Sequence, residues 1–180
     1  MPFYNPLNEQ FHTPVYFLTA TILEWKKLLL SDKNKYVITN SLKFMVNDKR
    51  IALYAFVIMP NYIHLLFSLN EIYPLSSFKR DFLKFTAQTF KNDMRNSNDP
   101  FLEEFKSTQN DRYYQIWERR PLSIPIYNEK TFFQKLNYIH NNPIQEKWKL
   151  AENPEDYFFS SAKFYATEID EWGFIKHYRD

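Results

Sequence analysis

No cysteine occurs in the 180 residues. Disulfides, thiolate nucleophiles and zinc–thiolate sites are therefore excluded, and a cytoplasmic location is the expectation. Glycine is almost absent. The single one, Gly173, excludes a glycine-rich phosphate loop and the dinucleotide fingerprint, so no nucleotide cofactor is expected. No apolar run approaches the roughly 18 residues of a membrane helix. The N-terminus, Met1-Pro2-Phe3-Tyr4-Asn5, lacks the basic start and apolar stretch of a secretion signal. No membrane partner is expected, and there are no repeats or low-complexity segments.

Aromatic bulk is abundant instead, with 18 Phe and 13 Tyr in a chain that is 44% hydrophobic. At this length about two-thirds of the unfolded surface can be buried, so a real core is possible. The length suits one domain over residues 1–180, with a core at about 14–145 and an extension at 146–180. The net charge of +2 is small and unevenly spread. Residues 146–180 carry five basic and eight acidic side chains, a net of −3, which leaves +5 on the rest. A modestly basic body is compatible with a nucleic-acid surface and also with ordinary charge scatter.

Residues 15–21 are rich in β-formers and predict a strand. Residues 33–48 predict a helix. The apolar run 51–58 has strand length, Met59-Pro60-Asn61 predicts a turn, and 62–68 resume as a strand. Residues 75–95 carry the clearest helical pattern. Phe78, Phe82 and Phe85 fall within roughly 60° of one another and predict the buried face. Arg80, Lys84, Lys91 and Arg95 cluster on the opposite side, either as a plain solvated face or as a phosphate-contacting one. Residues 96–114 predict a loop with a short helix. Residues 122–127 predict a strand that Pro125 confines to a sheet edge. Residues 129–141 predict a helix buried through Phe132, Leu136 and Ile139 and ended by Asn141-Asn142-Pro143. The remainder predicts irregular chain with helical turns near 161–171. The order fits an α+β, ferredoxin-like split βαβ plan, with a four-stranded antiparallel sheet, two helices on one face and a further C-terminal helix.

Two segments carry more than this plan. One is Val57-Ile58-Met59-Pro60-Asn61-Tyr62-Ile63-His64-Leu65-Leu66-Phe67. The other is Leu136-Asn137-Tyr138-Ile139-His140-Asn141-Asn142-Pro143-Ile144. With Tyr16-Phe17-Leu18-Thr19, residues 80–86, Trp117, and Pro154-Glu155-Asp156-Tyr157 before Ser160-Ser161-Ala162, the chain resembles the REP-associated tyrosine transposases over about residues 14–166. These are relatives of the single-tyrosine insertion-sequence transposases of the HUH class. The resemblance implies a ferredoxin-like fold with a His-hydrophobe-His motif on a central strand. It implies a divalent metal, Mg²⁺ or Mn²⁺, held by those histidines and a polar residue. It also implies a tyrosine that attacks single-stranded DNA beside a hairpin, leaving a 5′-phosphotyrosine before strand transfer. Some relatives are homodimers that exchange the tyrosine and others are monomers.

Carried over residue by residue, Tyr138 matches the nucleophile. A phenol, with a pKa near 10 in water, needs a metal or base to attack a phosphate. His64 matches the second histidine, and strand alternation places it with Tyr62 and Leu66 on the sheet face opposite Ile63, Leu65 and Phe67. Asn142 matches the third ligand and also suits a helix end. Tyr62 stands where the resemblance implies a histidine. A neutral phenol is a poor ligand, so metal binding is expected to be weakened or lost unless a carboxylate such as Glu24 or Glu118 completes the site. His140 lies about 200° around the helix from Tyr138, away from that site. His12 and His177 read as incidental. After Trp117, Glu118-Arg119-Arg120-Pro121 replaces a histidine-containing stretch, and Arg119 and Arg120 could extend the basic track to a DNA backbone. Trp117 is either a base-stacking residue or part of the core. Three functions follow: a cleaving transposase, a domesticated module that binds hairpin or single-stranded DNA, or a split βαβ interaction domain without a DNA role.

Overall fold

β1 (Val15–Thr21) is the inner strand from which the architecture is built. The computed structural model describes residues 14–108 and 113–180, so His12 lies outside the described residues. β1 leads through two short 3-10 turns into α1 (Asp32–Asn47). β2 (Ile51–Ile58) and β3 (Tyr62–Leu69) form a hairpin closed by the Met59 N–H bonding to the Tyr62 carbonyl at 2.8 Å. α2 (Leu75–Asn96) follows, then a 3-10 turn (Pro100–Phe105) whose cap, Asp99, accepts from the Phe101 N–H. β4 (Leu122–Ile126), α3 (Glu129–His140) and a short α4 (Ala162–Thr167) complete the chain. Asn128 caps α3 by accepting from the Thr131 N–H at 2.8 Å, satisfying one of the donors a helix start leaves open.

The sheet order is β2-β3-β1-β4 and every pair is antiparallel, which is the split βαβ arrangement. Pro125 sits on the edge strand opposite Tyr16, where its missing N–H breaks no ladder. All eight residues of β3 are buried, so both faces of the sheet are covered. α1 and α2 pack on one face, where Phe67 meets Phe78 at 4.5 Å. α3 lies on the other, where Tyr54 meets Phe132 at 5.7 Å. No helix among the described residues is long and apolar enough to cross a membrane.

The buried face of α2 differs from the expected one. Its buried row is Phe78, Phe82, Thr86, Phe90 and Met94, which advances by four and so drifts about 40° per step. Phe85 is left outside that drifting row, 57% exposed. With Phe44 of α1 it lines an apolar groove of about 420 Å³.

The segment after α3, irregular as expected, has a structural task. It straps the outer edge of β2, with Ile58 N–H donating to the Phe159 carbonyl, Ser161 N–H to Phe56 and Lys176 N–H to Leu53, at 2.8–3.0 Å. An edge that would template aggregation is thereby covered. His140, on α3, pins the strap: its Nε2 lies 2.9 Å from Ser161 Oγ, which also accepts from the Phe56 N–H at 3.0 Å.

Burial lowers the pKa of His140 from 6.5 to about 4. The folded chain therefore binds fewer protons than the unfolded chain between those pH values. The contribution is complete above pH 6.5 and is lost as pH falls toward 4. Urea denaturation across that range is expected to show falling stability, with His140 contributing up to about 3 kcal/mol. His140→Gln keeps a partner for Ser161 and should reduce the slope, leaving the part due to the other buried histidine, His64. An unaltered slope would mean that His140 is protonated normally in the fold.

Candidate tyrosine site and nucleic-acid groove

Cross-strand register builds the floor of the site. Thr19 of β1 pairs with His64 of β3, and Phe17 pairs with Leu66 one step along. The three side chains Phe17, Thr19 and His64 therefore share a face. Thr19 Oγ1 lies 2.8 Å from His64 Nδ1, and the Phe17 ring stacks on the imidazole at 5.2 Å. α3 crosses this face. Its stripe of Phe132, Leu136 and Ile139 is buried, while Tyr138, off the stripe, stays 43% exposed. The Tyr138 ring meets the His64 ring at 5.2 Å and the Phe17 ring at 6.1 Å. The phenol and the imidazole thus converge on one side of the sheet within one chain.

His64 is 5% exposed, and its pKa is lowered to about 3 by burial first and then by the charges of Lys135 and Lys147. It is neutral at ordinary pH. Its Nε2 is buried with no hydrogen-bond partner among the described residues, as is Asn61 Oδ1 in the turn before Tyr62. Lys135 Nζ stands 4.7 Å from the Phe17 ring and 5.8 Å from the Tyr138 ring, within cation–π range of both.

Tyr62 occupies the space beside His64, with ring centroids 4.9 Å apart. Its hydroxyl donates to Asn142 Oδ1 at 2.5 Å and accepts from Trp148 Nε1 at 3.1 Å. Burial pushes its pKa up to about 12. Asn142 is fully buried, and its Nδ2 donates to the Tyr138 carbonyl at 3.2 Å. It closes α3 as expected. Its oxygen, expected on the ion, is already occupied by Tyr62.

These residues do not fit a divalent cation. The donor set reduces to one free imidazole nitrogen, since the phenol is protonated and the amide oxygen is engaged, and two ammonium groups add positive charge. Among the described residues no group of three or more His, Asp or Glu side chains could hold a metal. Glu24 and Glu118 therefore do not complete the site, and Glu118 Oε1 instead accepts from the Glu24 N–H at 2.8 Å. His140 lies apart, on Ser161.

The basic residues gather in a groove of about 700 Å³ between α2 and the segment 114–121. Lys79, Arg80, Lys84, Lys91, Arg119 and Arg120 line it, with Glu118 as its carboxylate. The two halves of the expected basic track thus share one surface. Arg95 is outside this lining, and its charge is felt at Lys91. Trp117 resolves as a core residue. It is 6% exposed and its indole N–H donates to Thr86 Oγ1 at 3.0 Å, so its ring is not available to a base.

Thr19, Lys135, Lys147 and Trp148 escaped the sequence reading. Thr19 could have been found from the β1–β3 register; the others sit at positions where no pattern distinguishes them from surface residues.

Replacing Tyr62 by histidine releases Asn142 Oδ1 and adds a second imidazole. Tyr62→His is expected to raise Mn²⁺ affinity by about tenfold or more, read by the loss of free-ion electron paramagnetic resonance signal. It should also lower stability by about 1–3 kcal/mol through the lost hydroxyl bonds. A folded variant with unimproved Mn²⁺ binding would refute this account of the site.

A family model described as "Transposase IS200 like" matches residues 16–142. No curated protein matches the sequence. Among solved structures, one of a REP-associated tyrosine transposase bound to a REP hairpin superposes with a TM-score of 0.61 at 16% identity, covering 93% of this chain and 88% of that one. A crystal structure described as that of a candidate transposase from Deinococcus radiodurans gives 0.49 at 19% identity, covering 72% and 91%.

Proposed function

The chain belongs to the IS200-like transposase family, and from that premise we propose that it binds hairpin DNA with a single-stranded flank and has lost metal-assisted cleavage. The observation that carries the reading is the groove in which six basic side chains of α2 and the 114–121 segment face one another. Such a surface neutralises backbone phosphates without reading sequence. The hairpin held by the structurally similar REP-associated transposase supports the same class of ligand. Arg80, Lys84, Lys91, Arg119 and Arg120 hold the backbone in this reading, with Arg95 at its far end.

The loss of cleavage rests on Tyr62. Electrostatic stabilisation by a metal contributes several kcal/mol at a reacting phosphate, and each 1.36 kcal/mol changes the rate by about tenfold. A site that keeps His64 and spends Asn142 on Tyr62 forgoes that contribution.

A second reading retains the enzyme. Tyr138 attacks a DNA phosphate, a 5′-phosphotyrosine forms, and strand transfer follows with Mg²⁺ or Mn²⁺. The observation in its favour is the 5.2 Å approach of the Tyr138 and His64 rings.

The discriminating experiment is incubation with labelled hairpin DNA across Mg²⁺ and Mn²⁺. Binding without a covalent adduct is expected. An adduct that disappears in Tyr138→Phe would establish the second reading instead. Lys84→Ala and Arg120→Ala should each weaken binding to all hairpin sequences alike. Each should also reduce the slope of log K against log salt by about one. Absence of any hairpin binding at low salt would leave an interaction domain with no DNA role.

A further inference from the structure

The loop after β1 presents a tryptophan that the site just described does not use. Trp25 is 61% exposed, and both it (φ 58°) and Glu24 (φ 52°) have left-handed backbone. A bulky residue in that region is an outlier that the surrounding structure must enforce. Here the enforcement is visible. Leu23 N–H donates to the Ile116 carbonyl at 2.8 Å, Glu24 N–H to Glu118 Oε1 at 2.8 Å, and Asn61 Nδ2 to the Trp25 carbonyl at 3.0 Å.

Those three bonds fix the backbone that carries the indole, and Tyr62 meets its ring. Ile116 and Glu118 belong to the wall of the basic groove. Asn61 precedes Tyr62, whose ring meets Trp25 in a T-shaped contact at 6.1 Å and leads on to His64 and Tyr138. The indole is therefore lodged between the groove and the tyrosine site. With Tyr62 as its ring contact and most of its surface exposed, the indole offers ring area to solvent.

We infer that Trp25 is a stacking platform for an unpaired nucleobase at the junction where a hairpin gives way to its single-stranded flank. The inference rests on the DNA-binding reading above and deepens it. The groove takes the duplex backbone, Lys135 beside Tyr138 supplies positive charge for the following phosphate, and the base between them lies on Trp25. A π-face accepts any base, so the platform is sequence-tolerant. It distinguishes unpaired from paired DNA, because a base inside a duplex has no free face to offer.

The test compares a blunt hairpin with the same hairpin carrying a short oligothymidine tail, by fluorescence anisotropy. The wild-type protein is expected to bind the tailed probe more tightly. Trp25→Ala should lose about tenfold or more on the tailed probe and little on the blunt one, and Trp25→Phe should retain most of the tail's advantage. Intrinsic fluorescence gives a second readout: the tailed probe should quench the wild type and Trp172→Phe, and quench Trp25→Phe far less. A tail that adds no affinity, or a Trp25→Ala protein that gains as much from the tail as the wild type, overturns the inference while hairpin binding stands. A wild type that binds neither probe overturns the DNA-binding reading together with it.

Discussion

The hydrogen bond from the Tyr62 hydroxyl to Asn142 Oδ1, 2.5 Å long and closed off by Trp148, determines what the centre of this protein can do. It joins an inner strand to the end of α3 and satisfies three polar groups in a buried setting. It also uses the amide oxygen that would face an ion. A cation seeking Asn142 must first break that bond, at a cost of about 1–3 kcal/mol for the group left unpaired. That cost is roughly a five- to hundredfold loss of affinity, before the repulsion of Lys135 and Lys147 is counted.

The same bond keeps the tyrosine in place. Asn142 donates to the Tyr138 carbonyl, so the network that displaces a metal also finishes the helix that carries the phenol. His140, two residues on, ties that helix to the strap over β2 through Ser161. Tyr138 is thus held against His64 from both sides by contacts that need no ion. The position is held by packing and hydrogen bonds of the protein itself.

Much of this was legible in the sequence. The order of elements followed from periodicity and punctuation, and Pro125 correctly marked the edge strand. Strand alternation put His64 on the α3 face, and the stripe of Phe132, Leu136 and Ile139 left Tyr138 outside. What escaped was long-range. Asn142 was legible as a helix end, yet its engagement by Tyr62 depends on an 80-residue contact. The strap on β2 joins residues more than a hundred positions apart, in a segment with no strand pattern. Phe85 would lie on a straight stripe, but the buried row of α2 advances by four and drifts away from it. Of the two readings open for Trp117 the structure selects the core one, and Trp25 carried no sequence signal. The indole beside a motif turned inward to Thr86, and the one in an unremarked loop was turned out by a backbone that local sequence rules disfavour.

The electrostatics complete the reversal. A site built for a divalent ion gathers carboxylates and imidazoles, lone pairs directed at one point. This one gathers a neutral imidazole, a protonated phenol and two ammonium groups. Such a centre favours anions over cations, as does the basic groove of α2. Lys135 beside Tyr138, and Lys147, whose charge reaches His64, set a positive field over the site. The bonded trio of Tyr62, Asn142 and Trp148 thus leaves a centre of positive charge around a neutral imidazole, in place of a set of donors aimed at a cation.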